Sequence, residues 1–466
     1  MDLFGTAGIR GDAAEEVPPT LALSVGRALG NRIRERTARD ESGVGDGTEV
    51  VVGRDGRVTG PALLSAAVAG VASAGVPVRR LGVVPTPAVA FASRGRHGLA
   101  VTASHNPPAD NGLKLFADGV EFDRDAERAI AARIGGDGTP APWNEWTDPE
   151  HEAVLDDYRA AVVTYAREHG AALDGLRVAV DAGTGTAALV TPQVLRELGA
   201  DVVTLNAQVD GHFPARESKP TPESLADFRA FVADDDAGLG IAHDGDADRI
   251  VVLDGSGAVV HEDTVVAVLA EHYVRASDAA DPVVVTTPNA SGRIDDRVRA
   301  AGGRVERTRL GALHEGIAVA RDDGGAVAFA AEPWKHLHPA FGGWIDGVAS
   351  AAVLARLVAA SGLDALRDPV EERPYRKTSV PCPDDRKAAA MARLETDLPA
   401  AFPDADVNTE HGVRLDRPDD SWVLVRPSGT EPYLRVYAES EDVEALADRV
   451  ADLVADAVAD VDGAAG

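Results

Sequence analysis

EVVVGRDGRVTGPALLSAAVAGVASAGVPVRRL, residues 49–81, decides the fold. An apolar strand, Glu49 to Gly53, enters a turn at Arg54 to Arg57. An Ala-rich helix, Pro61 to Ala74, follows, and Gly75 introduces a second strand, Val76 to Leu81. The unit recurs as Leu176 to Val180, the turn DAGTGT, helix Ala187 to Leu198, Gly199 and strand Asp201 to Leu205. It recurs again as Pro282 to Thr286, the turn PNASG, helix Ile294 to Ala301, Gly302 and strand Arg304 to Thr308. Valine-rich runs without polar alternation predict strands buried on both faces, and a glycine just past each helix predicts a C-terminal cap. Strand–helix–strand repetition implies parallel or mixed sheets with right-handed crossovers. Three similar α/β domains follow.

From about Leu366 the pattern changes. Strand-like runs at Ser421 to Val425 and Leu434 to Ala438 precede an amphipathic helix carrying Val443, Leu446, Val450, Leu453, Val454 and Val458. This fits a smaller α+β domain. Breaks near Trp146 to Pro149, Gly255 to Gly257 and Ser361 to Asp368 divide the chain into 1–150, 151–255, 256–365 and 366–466.

The 466 residues exceed what one core accommodates, and an apolar content of 45% is ordinary for a globular chain. The single cysteine, Cys382, excludes a disulfide framework and fits a reducing compartment. No apolar run reaches the roughly 20 residues of a membrane helix, and MDLFGTAGIRGD shows no export signal, so a soluble cytoplasmic protein with no membrane partner is expected. The net charge is −30, and only Lys114, Lys219, Lys335, Lys377 and Lys387 are lysine. Such a surface argues against nucleic acid as partner and suggests adaptation to high internal salt, where self-repulsion is screened. An anionic substrate must then be held by a local basic site. The oligomeric state is not written in the sequence.

Four loops carry chemistry. TASHNPPADNGLKLF, Thr102 to Phe116, follows the apolar run Gly98 to Val101 and so hangs Ser104 on a loop at the end of a buried strand. His105 is a possible base beside it and Lys114 a phosphate clamp or proton carrier; Pro107 and Pro108 stiffen the turn. By itself this also reads as a capped turn with an incidental hydroxyl. The stretch TASHNPPADNGLK resembles the active-site serine loop of the α-D-phosphohexomutases, the family of phosphoglucomutase, phosphomannomutase and phosphoglucosamine mutase. The resemblance covers essentially the whole chain. It implies three similar α/β domains with mixed sheets and a smaller fourth around a central cleft, and a Ser104 that carries a phosphoryl group. The opening FGTAGIRG is similar to a stretch that lines the cleft in that family, which puts Arg10 near the phosphoserine.

AHDGDADRI, residues 242–250, alternates Asp244, Asp246 and Asp248 around Gly245. Carboxylates converging there repel unless a cation is present, and hard oxygen ligands suit Mg²⁺. An EF-hand is excluded, since its sixth and twelfth positions fall on Arg249 and Gly255. A solvated acidic turn is the plainer alternative. The resemblance places Mg²⁺ on the three aspartates with an oxygen of phosphorylated Ser104 as a further ligand, and Arg249 against the phosphate. DAGTGTAA mimics a dinucleotide fingerprint, but Leu205 and Asn206 stand where an acid is required, so Gly183 and Gly185 read as a tight strand-to-helix turn.

RPSGTEPYLR, residues 426–435, offers Arg426, Ser428, Gly429, Thr430 and Arg435 as an anion cradle. The resemblance makes it the site for the phosphate that is not reacting. The sugar-reading loop departs from the family pattern G-E-x-S-G-H: here it is AEPWKH, with Glu332 and His336 in register, Trp334 in place of the serine and Lys335 in place of the glycine. Glu332 reads hydroxyls, Lys335 adds a cation, and Trp334 either stacks on the sugar or only packs. In RTRLGALHEG, Leu313 stands where many relatives carry a lysine, with His314 beside it.

These parts imply phosphoryl transfer between Ser104 and a hexose 1- or 6-phosphate, with Mg²⁺ as cofactor and hexose 1,6-bisphosphate as activator and intermediate. Lys114, its amine lowered by neighbouring cations, is the first expectation for the base and His336 the second; His105 orients the loop. A metal-dependent phosphatase and a non-catalytic sugar-phosphate sensor are the rival classes. Glucose, mannose and glucosamine phosphates are not separated by these residues.

Overall fold

The computed structural model describes residues 3–5, 8–39, 47–134, 139–428 and 431–464. Four sheets succeed one another along the chain. The first holds seven strands, ordered Ile9–Asp12, Asp110–Ala117, His97–Val101, Val50–Arg54, Val78–Val83, Glu150–His151, with Val120–Glu121 beside Asp110–Ala117. The second is ordered Val259–Val260, Ile250–Asp254, Leu239–His243, Arg177–Asp181, Asp201–Leu205, and the third Arg304–Arg307, Pro282–Thr286, Ala326–Glu332, Lys335–Leu337. The fourth has five antiparallel strands: Tyr375–Pro381, Tyr433–Glu439, Trp422–Pro427, Val413–Asp416 and Asp406–Asn408.

The three repeated units each close as parallel strand pairs: Val50–Arg54 with Val78–Val83, Arg177–Asp181 with Asp201–Leu205, Pro282–Thr286 with Arg304–Arg307. Gly75, Gly199 and Gly302 stand at φ of +81°, +108° and +92°, the left-handed caps expected of them. The second helix differs from its expected span. A 3₁₀ turn at Thr186–Leu189 precedes the α-helix Thr191–Glu197, because Pro192 suits a helix start and not an interior.

Every one of these three sheets adds an antiparallel strand after the parallel strand at its centre, and the three site loops occupy that one topological position. The serine loop joins His97–Val101 to Asp110–Ala117, and the metal loop joins Leu239–His243 to Ile250–Asp254. The sugar loop joins Ala326–Glu332 to Lys335–Leu337. Each contains a non-glycine residue at positive φ: Ser104 (+51°), Ala247 (+61°) and Trp334 (+69°). Backbone strain of this kind persists only where the surroundings enforce it.

The first sheet has its own core around Leu29, Val52, Leu99 and Leu115, and the last sheet another around Leu394, Val425, Val436 and Val450. The largest cluster runs through the second and third sheets together, including Val163, Ile241, Phe329 and Leu354, and takes in Val51, Ala100 and Phe116 of the first sheet. Helix Gly347–Ser361 explains this continuity. It lies beyond the third sheet in sequence yet packs on helices Leu155–Ala166 and Thr191–Glu197 and on strands of the second sheet. Asp346 caps it, accepting from the N–H groups of Val348 (3.0 Å) and Ala349 (2.8 Å). The second and third sheets therefore share one interior.

Candidate active site

Ser104 is fully buried at the C-terminal end of strand His97–Val101. Its hydroxyl donates to Asp244 Oδ2 at 2.6 Å and lies 3.4 Å from Asp248 Oδ1 and 3.3 Å from His105 Nδ1. Ser104 N donates to the Thr102 hydroxyl (2.9 Å), which stands 2.7 Å from Asp55 Oδ2 and 3.1 Å from Asp246 Oδ2. Gly245 lets the metal loop approach this closely: a Cβ there would come within 2.7 Å of the Ser104 carbonyl oxygen.

Asp244, Asp246 and Asp248 are buried, each offering an oxygen within 4.8 Å of the others. Burial, then Asp248 and Asp246, pushes the Asp244 carboxyl well above its usual range. Burial also raises Asp248, but Lys114, Lys335, Arg249 and Arg10 overcome it and hold that carboxylate far below the usual range. Asp246 Oδ1 is buried without a hydrogen-bond partner among the described residues. An orphaned carboxylate oxygen beside two further carboxylates fits a small divalent cation such as Mg²⁺.

Cations ring the triad. Arg249 stands 3.7 Å from both Asp244 and Asp248. Arg10 leaves Nε and Nη2 buried and without a partner among the described residues. Lys114 lies 3.3 Å from Asp248 and 4.0 Å from Glu121. The expectation that cations depress Lys114 is corrected here: burial lowers it, but Glu121 and Asp248 outweigh burial and hold the ammonium above its usual value. His105 behaves oppositely, pushed down to about 2 by burial and then by Arg249, Arg10 and Lys335, so its imidazole is neutral.

The sugar loop is pinned to the metal loop. Ile250 N donates to the Trp334 carbonyl (3.1 Å), and Lys335 forms an antiparallel bridge with Arg249. Glu332 accepts from Gly311 N at 2.5 Å. Trp334, half-buried, packs against the second sheet's apolar cluster with Ala179, Ala242 and Val251. Lys335 is buried, and burial, eased by Glu332, holds its amine below the usual value. His336 is buried with both ring nitrogens unpartnered and is pushed down to about 3 by burial. Leu313 is a core residue, as its apolar side chain dictates. Leu313 and its neighbour His314 both line a small cavity with Lys114, Glu121, Asp248, Gly311 and Glu332.

The cradle of the last sheet lies in the turn between Trp422–Pro427 and Tyr433–Glu439. Arg426 Nη2 donates to Tyr437 Oη (2.9 Å) and Arg435 Nη2 to Glu431 Oε2 (2.6 Å). Among the described residues, the buried Ser428 hydroxyl has no partner and both arginines leave Nε unpartnered. Gly429 and Thr430, named with this cradle above, lie outside the described residues, as do Thr6 and Ala7 of the opening segment.

Several supporting residues went unread in the sequence. Arg57 is fully buried; Nη2 donates to the carbonyls of Ser104 (2.9 Å) and Asn106 (2.7 Å), and Nη1 to those of Asp110 (2.9 Å) and Pro107. Its Nε meets Asp55 at 3.1 Å. Thr86 donates to Asp246 Oδ2 at 2.6 Å. Arg216 joins Asp181 (2.6 Å) to the His243 carbonyl (2.6 Å). The glycine turn after Asp181 buttresses the same loop: a Cβ on Gly185 would meet the carbonyl oxygens of Gly245 and Asp244 at 2.8 and 2.9 Å. An arginine and an aspartate at a strand end, as in Arg54 to Arg57, were the available signal.

Comparison with known proteins agrees with this geometry. Residues 1–139 match the family model "Phosphoglucomutase/phosphomannomutase, alpha/beta/alpha domain I", 152–257 match domain II, and 378–457 match the C-terminal domain. The chain is 40% identical over 449 residues to a phosphopentomutase of Thermococcus kodakarensis, covering 94% of each chain. It is 41% identical over 453 residues to a probable phosphoglucosamine mutase of Methanopyrus kandleri, covering 95% and 94%. A solved phosphoglucomutase/phosphomannomutase family protein from Burkholderia thailandensis superimposes with a TM-score of 0.83 at 27% identity, covering 99% of this chain and 98% of the other. The chain belongs to the α-D-phosphohexomutase superfamily and is a phosphomutase, an enzyme of the isomerase class.

Proposed function

We propose that the enzyme interconverts hexose 1-phosphate and hexose 6-phosphate through a phosphorylated Ser104 and a hexose bisphosphate. The observation that carries this reading is the Ser104 hydroxyl, 2.6 Å from Asp244 inside a ring of three carboxylates and four cations. Asp244, Asp246 and Asp248 would hold Mg²⁺, which when bound spreads the negative charge of the transferring phosphoryl group. Arg10 and Arg249 bring unpartnered guanidinium nitrogens to the same oxygens. Lys114, held protonated, serves as a fixed cation and proton donor. The neutral, unpartnered imidazole of His336 takes the proton of the attacking sugar hydroxyl. His105 steadies the serine. Glu332 and Lys335 read the sugar, while Arg426, Ser428 and Arg435, with Gly429 and Thr430, anchor its other phosphate. A phosphatase has no use for that second cradle.

A pentose 1-/5-phosphate reading has one observation in its favour. One of the similar relatives, 40% identical over 449 residues, is a phosphopentomutase. A panel assay separates the readings: purified enzyme, Mg²⁺, a trace of the matching bisphosphate, and the 1-phosphates of glucose, mannose, glucosamine and ribose in turn. Isomerisation of a hexose phosphate as the preferred substrate is expected. Preference for ribose 1-phosphate selects the pentose reading, and release of inorganic phosphate without isomer overturns both.

A further inference from the structure

The five lysines, in a chain with 46 lysines and arginines, converge on the site and its cradle. Lys114 and Lys335 flank Asp248. Lys387 donates to the carbonyls of Ser428 and Glu431, both at 2.7 Å, and so ties together the two sides of the cradle turn. An ammonium with three rotatable donors suits that task better than a planar guanidinium. Lys377 and Lys219 have no part in the chemistry described above.

Lys377 lies on strand Tyr375–Pro381, directly opposite Tyr437, while Arg426 is directly opposite Arg435 on the neighbouring pair. Directly opposed residues share a face of the sheet, as do residues two apart along a strand. Lys377, Tyr437, Arg435 and Arg426 therefore rise from one face. Lys377 Nζ is 5.7 Å from the Tyr437 ring centroid and the Arg426 guanidinium carbon 5.5 Å from it. Three cations so placed repel each other, a repulsion eased at Arg435 by Glu431 Oε2 at 2.6 Å, and like charges opposite one another weaken a sheet unless anions join them. Burial, then the cations Arg435, Arg426 and Lys219, holds the Lys377 amine below its usual value against the opposing pull of Tyr437.

Lys219 belongs to the second unit of the chain, and its charge acts on the Lys377 amine. The preceding Ser218 is buried and donates to the Asn106 carbonyl at 2.9 Å, which fastens the segment to the serine loop. Lys219 itself is exposed and lines an open cavity of about 490 Å³ with His105, Asn106 and Pro107.

We propose that Lys377 and Lys219 are further ligands of the non-transferred phosphate, Lys377 from the floor of the cradle and Lys219 from the serine-loop side. A dianion seated on Arg426 and Arg435 is then gripped from both walls, and filling the cradle draws the serine loop toward it. The proposal rests on the phosphosugar mutase reading. Its test is calorimetric binding of glucose 6-phosphate and ribose 5-phosphate to Ser104→Ala, alone and combined with Lys377→Gln, Lys219→Gln, or the arginine replacement at each position. Steady-state kinetics of the same lysine variants with Ser104 intact accompany it.

Each glutamine is expected to weaken binding of the tighter phosphosugar about tenfold and to raise KM to the same degree. Turnover should stay within about twofold, the salt dependence of binding should become shallower, and arginine should restore most of the loss. Unchanged affinity and salt dependence in both glutamine variants, with the parent still binding and the wild type still isomerising, overturns this proposal alone. A lower melting temperature without a change in affinity overturns it as well, since it makes Lys377 a packing residue. A wild type that neither isomerises nor binds either phosphosugar overturns the mutase reading, and this proposal with it.

Discussion

Ser104 and Asp244, 140 positions apart, meet at 2.6 Å because their loops leave equivalent strands of two different sheets. The contact is buried on both sides. The proposed nucleophile and the carboxylates that would bind its counter-ion thus belong to separate units of the chain, and the interface between those units is part of the proposed reaction centre.

Removal of either partner follows directly. Ser104→Ala is expected to abolish isomerisation and covalent labelling from radiolabelled hexose 1,6-bisphosphate while leaving the fold intact. Asp246→Ala is expected to cost at least a hundredfold in kcat, and chelation of divalent metal to do the same reversibly. Labelling of the Ser104→Ala protein would end the covalent mechanism.

Arg57 supports the serine loop with hydrogen bonds to four of its carbonyls and an ion pair to Asp55. Arg57→Lys keeps the charge and loses the fork. A destabilisation of about 3 kcal/mol is expected, with kcat falling more than KM rises, because the loop that aims Ser104 loosens. Thermal melts and kinetics that match the wild type would show that the loop holds itself.

Asp263 gives a pH-dependent stability. Burial, then Glu262, against the opposing Arg293, pushes its carboxyl up to about 8; Oδ2 accepts from Ser291 N (3.2 Å) and Oδ1 has no partner. A carboxyl raised in the folded state contributes stability below its unfolded pKa of about 3.9, and that contribution is lost as pH rises toward 8. Asp263→Asn removes this titration. Its melting temperature is expected to equal that of the wild type near pH 4.5 and to exceed it by several degrees at pH 8; a difference independent of pH would contradict the assignment.

The −30 net charge makes salt an expected stabiliser of the fold. The melting temperature is expected to rise between dilute buffer and molar KCl as repulsion is screened. Greater stability in dilute buffer would remove high-salt adaptation from the account.

The sequence alone established the repeated strand–helix–strand units, their glycine caps, the smaller last domain and the four loops, because these rest on local hydrophobic period and turn chemistry. The resemblance in the serine and metal loops carried the family. Local pattern could not report the field inside the site. The sign of the Lys114 shift depends on Glu121 and Asp248, reached only through the fold, and the packing of Trp334 depends on an apolar cluster of the second sheet. Arg57, Thr86 and Arg216 act on residues 47, 160 and 27 positions away. Tertiary structure alone decided those partners, since electrostatics and packing act through space and the chain records only neighbours in order.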